Sequence, residues 1–177
     1  MRQSLVDEEN RRQIARQQDF RAAADTVVAA CKTFSEIEAI ALIGSVAKPL
    51  WKEVPRFRKF RRADIEIWHE CADVELAVWL SSQHRLGALR QARDLALRAA
   101  HEAGSGPGVA GHQVDVFLHE PGSDRYLGRL CNYSECPKGK ENCLVPGCGA
   151  VAFNKVVPDF VPSADLPGPE EDQAILR

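Results

Sequence analysis

Ala72-Asp73-Val74-Glu75-Leu76-Ala77-Val78 decides the fold. Acids alternate with apolar residues at its start, and the apolar run continues to Leu80. In a strand, successive side chains point to opposite faces. Asp73, Glu75, Ala77 and Trp79 therefore share one face. Val74, Leu76, Val78 and Leu80 share the other, where a helix can cover them. Two further strands flank this one in the chain. Ile37 to Ile43 reads as a buried strand ending at Gly44-Ser45. His112 to His119 reads as a strand with Asp115 and Phe117 on one face and Val114, Val116 and Leu118 on the other.

Helices fill the intervals. Ser4 is predicted to cap a helix running to about Lys32, with Asp7 and Glu8 in its first turn. Ile14, Phe20, Ala24, Val27, Val28 and Cys31 recur at helical spacing, while the polar first half is expected to pack little. Ser81 or Ser82 is predicted to cap a second helix to about Ala103, with Leu86, Leu89, Ala92, Leu95, Ala96 and Ala99 on one face. Gly104-Ser105-Gly106-Pro107-Gly108 ends it. A short turn or helix is expected after Pro121-Gly122. The order helix, strand, strand, helix, strand predicts an α/β (α+β) domain with a small mixed sheet packed by helices.

The 177 residues suffice for one domain with a small appendage, and 45% hydrophobic content supports a core. A net charge of −2 gives no general attraction to nucleic acid or anionic membrane. No apolar run approaches the roughly 20 residues that span a bilayer. The start of the chain lacks an apolar signal core, so a cytoplasmic protein is expected. The expected organisation is a core over 1–125, a cysteine segment over 126–157 and a proline-rich arm over 158–177. The core carries a basic insertion at 48–62, with Lys52, Arg56, Arg58, Lys59, Arg61 and Arg62 against Glu53.

If the strands are neighbours in register, Asp73, Glu75 and Asp115 meet on one rim. Carboxylates that close repel unless neutralised, and Mg²⁺ accepts their oxygens while keeping positions for phosphate oxygens. Gly44 tolerates close approach of a ligand, Ser45 can donate its hydroxyl to a phosphate, and Lys48 can supply counter-charge.

A Gly-Ser turn after a strand, an acid-apolar-acid strand and a third acid on a later strand resemble the nucleotidyltransferase superfamily typified by DNA polymerase β and the minimal bacterial nucleotidyltransferases. The resemblance covers roughly residues 20–120. Gly44 and Ser45 match the turn, Asp73 and Glu75 the acid pair, and Asp115 the third acid. It implies that these acids hold catalytic Mg²⁺ and that Asp115 helps deprotonate an acceptor hydroxyl. The implied reaction moves a nucleoside monophosphate from an NTP to an acceptor that is a small molecule, an RNA end or a protein hydroxyl. A partner protein or second protomer would present the acceptor. Two departures stand out: the interval from Ser45 to Asp73 is long, and the second acid is Glu. Asp64-Ile65-Glu66-Ile67 fits the same template nearer the turn. Asp73 and Glu75 are preferred because they open the longer apolar strand and lead into a helix.

Cys131, Cys136, Cys143 and Cys148 are spaced C-x4-C-x6-C-x4-C among turn-forming Pro137, Gly139, Pro146, Gly147 and Gly149. Two such knuckles can wrap one tetrahedral Zn²⁺ in a closed, structural site. An iron–sulfur cluster or two disulfides are the other readings of the same thiols. Cys31 and Cys71 lie apart in apolar surroundings and read as small buried hydrophobes. Lys138, Lys140 and Lys155 read as solvated surface.

His69-Glu70-Cys71 cannot face one ion from a single strand, so packing is expected of it. His112 and His119 are expected off the face of Asp115. Trp79 shares the face of the acids and can stack on a base or pack in the core. The competing reading of the whole chain is a zinc-stapled binding or regulatory module that keeps the fold without the chemistry. A nucleic-acid-binding zinc protein would require the basic stretch and the cysteines to share one face.

Overall fold

The computed structural model describes residues 3–47, 71–123 and 125–132. The basic stretch with Lys48, the rival pair Asp64 and Glu66, the residues Cys136, Cys143 and Cys148, and the proline-rich arm lie outside the described residues. So do Trp51, Trp68, His69 and the three lysines of the cysteine segment.

Helix α1 spans Gln3–Cys31, strand β1 Ile37–Ile43, the single-turn helix α2 Gly44–Ala47, strand β2 Val74–Leu80 and helix α3 Leu86–Glu102. A 3₁₀ turn over Gly111–Gln113 leads into strand β3, Val114–His119, and strand β4 follows at Tyr126–Arg129. The four strands form one mixed sheet in the order β1-β2-β3-β4. The β1/β2 and β3/β4 pairs are antiparallel, and β2/β3 is parallel. A parallel pair needs a crossover connection, and α3 supplies it.

The alternation in the sequence sorts the sheet into two faces. Val74, Leu76, Val78 and Leu80 of β2 join Val114, Val116 and Leu118 of β3 in one core. Phe20, Ala23, Ala24 and Val27 of α1 and Leu86, Leu89 and Leu97 of α3 close that core from the helical side. The opposite face holds a smaller cluster of Ala41, Ile43, Ala77 and Phe117, with Trp79 and Tyr126 beside it. Glu75 and Asp115 belong to this second face.

Several sequence expectations change. Ser4 lies inside α1, because the helix already runs from Gln3. The polar half of α1 packs as well: Val6, Asn10 and Gln13 are buried, and Glu8–Arg12 and Glu9–Gln13 pairs brace it one turn apart. The second helix starts at Leu86, not after Ser81 or Ser82. Ser81 is used elsewhere: its amide and hydroxyl both donate to the Glu36 carbonyl, closing the end of β2 on the start of β1. Ser82 accepts from the His84 amide in a local turn. The buried stripe of α3 is Leu86, Leu89, Arg93 and Leu97, while Leu95 is 51% exposed. The stripe therefore centres on Arg93 and Leu97, with Ala92 packed at its side. The expected turn forms at Pro121-Gly122, and the chain then adds β4, which was not expected; four residues containing Gly128 give too short an alternation to read.

Candidate active site

Parallel pairing of β2 and β3 places Glu75 opposite Asp115. Adjacent strands lie about 4.8 Å apart, so the two carboxylates leave the same face from neighbouring positions. Antiparallel pairing of β1 and β2 sets Ile43 opposite Glu75, which brings the next residue, Gly44, to the same end of the sheet. Gly44 has φ +72°, a left-handed conformation that penalises any side chain. A β-carbon there would also collide with the Glu75 carboxylate. The acid thus lies directly over the turn, in space that only glycine leaves open.

The turn is fixed from behind. Val46 is fully buried, and its carbonyl accepts from Arg21 Nε at 3.1 Å and Gln17 Nε2 at 3.2 Å. Helix α1 thereby holds α2 against the sheet. Ser45 is half-buried in α2, next to Gly44. Asp73 stands in a bend immediately before β2 and is half-buried. Among the described residues no three His, Cys, Asp or Glu side chains are grouped closely enough to hold a metal ion. Glu75, Asp115 and Gly44 are brought together, and Asp73 remains at the mouth of the strand.

Arg129 was not among the predicted site residues. It pairs with Phe117 in the β3/β4 register, and its Nη1 reaches Asp115 Oδ2 at 2.6 Å. The side chains are 23% and 12% exposed, so the ion pair is largely shielded from water. Only the presence of β4 could have announced it.

His119 is a correction. It lies four residues after Asp115, an even offset that places it on the same face, not off it. It is buried there, opposite Trp79, and the two rings stack at 5.2 Å with an interplanar angle of 30°. Tyr126 tilts against His119 at 5.6 Å. Trp79 therefore already has a ring partner within the protein. His112 sits exposed in the 3₁₀ turn that precedes β3.

Beneath the start of β3 lies Arg93, 1% exposed. Its guanidinium donates to the Val114 carbonyl at 3.1 Å, to Asn132 Oδ1 at 2.8 Å and to Asp94 Oδ1 at 2.9 Å. One buried cation thus joins α3, the residue before Asp115 and the chain just after β4. Burial pushes the nearby Cys31 thiol up to about 11, partly opposed by the positive charge of Arg93. Cys31 and Cys71 are buried as expected, and so is Cys131, 6% exposed beside Leu130.

Compared with known proteins, the chain matches no family model, no curated protein and no solved structure. Among the described residues no helix is long and apolar enough to cross a membrane.

Proposed function

We propose that the chain is a Mg²⁺-dependent nucleotidyltransferase that moves a nucleoside monophosphate from an NTP to an acceptor hydroxyl. The observation that carries this reading is the register of Glu75 with Asp115 against a left-handed Gly44 whose side-chain space the Glu75 carboxylate fills. Two hard oxygen donors on neighbouring strands suit a divalent cation, which can in turn hold a phosphate chain. Glu75 and Asp115 would hold the ion, and Asp73 would join from the mouth of β2.

Bound Mg²⁺ would supply charge neutralisation for the phosphates. The chain's own residues would do the rest. Ser45 would donate its hydroxyl to the phosphates, while the space at Gly44, filled by the Glu75 carboxylate, would seat the acid. Asp115 would take the proton of the acceptor hydroxyl as its oxygen bonds to the α-phosphorus and pyrophosphate leaves. A structural Zn²⁺ on Cys131, Cys136, Cys143 and Cys148 belongs to the same proposal; the buried Cys131 would root that segment at the end of β4. The acceptor class, a partner or second protomer to present it, and a cytoplasmic setting remain part of the proposal too.

A second reading, a binding or regulatory module without chemistry, is favoured by one observation: Asp115 is already bonded to Arg129. Thermal melts with each NTP, with and without Mg²⁺, separate the two. A ligand that binds only the folded state at 100 times its Kd stabilises it by about 2.7 kcal/mol. Mg²⁺-dependent stabilisation that Asp73→Asn/Asp115→Asn abolishes supports the enzyme. No shift with any NTP at millimolar concentration favours the module.

A further inference from the structure

We infer that Arg129 is the resident cation at Asp115 and a positioning residue that a divalent ion must displace from it. The inference rests on the nucleotidyltransferase reading of the site. Its own basis is the ion pair. Glu75 and Asp115 stand in register on neighbouring strands, an arrangement in which like charges oppose each other. Arg129 Nη1 bonds Asp115 Oδ2 at 2.6 Å with both groups mostly shielded, so the attraction is little screened.

The position of Arg129 is built into β4. That strand is only four residues long, and its pairing with β3 is irregular between Leu118 and His119. Gly128, opposite Leu118, has φ +128°, a backbone setting that suits glycine. The strand is then tied down beyond Arg129: the Leu130 amide donates to the Val116 carbonyl at 2.7 Å, and Asn132 accepts from buried Arg93. Arg129 is held between a kink and two anchors, and its guanidinium covers an oxygen that a metal ion would need.

Direct titration of Mn²⁺ alone, read by electron paramagnetic resonance and by melting temperature, tests this without any substrate. Arg129→Gln is expected to lower the melting temperature in chelator and to tighten Mn²⁺ binding about fivefold, equivalent to about 1 kcal/mol. Arg129→Lys, which keeps a cation without the planar fork, is expected to stay near wild type. Adding Asp115→Asn to Arg129→Gln is expected to cancel the gain. If Arg129→Gln fails to fold in chelator, Mn²⁺ is expected to rescue it, and failure of that rescue overturns the inference. Wild type that binds Mn²⁺ together with a folded Arg129→Gln that binds it no more tightly overturns the role of Arg129 alone. Absence of Mn²⁺ binding by both proteins at about 10 mM, a binding free energy weaker than about −3 kcal/mol, overturns the metal reading and this inference with it.

Discussion

Replacing Gly44 with alanine tests the contact on which the site is built. The backbone there has φ +72°, and holding an L-residue in that region costs about 1–2 kcal/mol. The added methyl would overlap the Glu75 carboxylate. Glu75 is flexible, so it would swing aside at a further cost of about 0.5–1.5 kcal/mol in rotamer strain and lost packing. The expected total is about 2–3 kcal/mol, or a fall of roughly 5–10 °C in melting temperature for a chain of this length. Urea denaturation followed by circular dichroism measures it. The decisive comparison is a double-mutant cycle with Glu75→Ala, which removes the obstructing carboxylate and leaves the backbone penalty. Gly44→Ala should cost about 1 kcal/mol less in that background. Equal costs in the two backgrounds, within about 0.3 kcal/mol, would refute the close approach of Glu75 to the turn.

Two further outcomes are expected. The Cys31 thiol is held neutral by burial with its pKa raised from 9.0 to about 11, so its contribution is complete below pH 9.0. It is lost as the pH climbs toward 11, because the unfolded chain releases its proton first. The loss is about 3 kcal/mol at most, and Cys31→Ala should flatten the stability profile over that window. The purified chain should carry one equivalent of zinc by elemental analysis, and chelation or Cys136→Ser should release it and lower the melting temperature.

The strands were legible because their alternation is strong. Val74 to Leu80 and Val114 to Leu118 sort into faces at every position, and burial then leaves one register that keeps the apolar set inside. The site followed from the same periodicity as far as Glu75 and Asp115, since register is all that their meeting requires. What escaped reading depends on long-range partners. Ser81 looked like a helix cap until the Glu36 carbonyl claimed it. Arg93 drew no notice in the sequence, because the Val114 carbonyl and Asn132 that it bonds lie 21 and 39 residues away. Arg129 needed β4, whose four residues carry almost no pattern. His119 was legible after all: an even count from Asp115 was enough to place it on the same face.

The antiparallel ladder of β1 and β2 also brings the two ends of a long interval in the chain together. Ile43 faces Glu75, so the chain leaves the sheet at Gly44 and returns at Asp73 on the same edge. The entropy of closing an interval between two fixed ends grows only slowly with its length. Lengthening or shortening the interval between Ala47 and Cys71 is therefore expected to leave the β1/β2 pairing in place. The rim that carries the acids is thus also the place where the chain departs from the sheet and rejoins it.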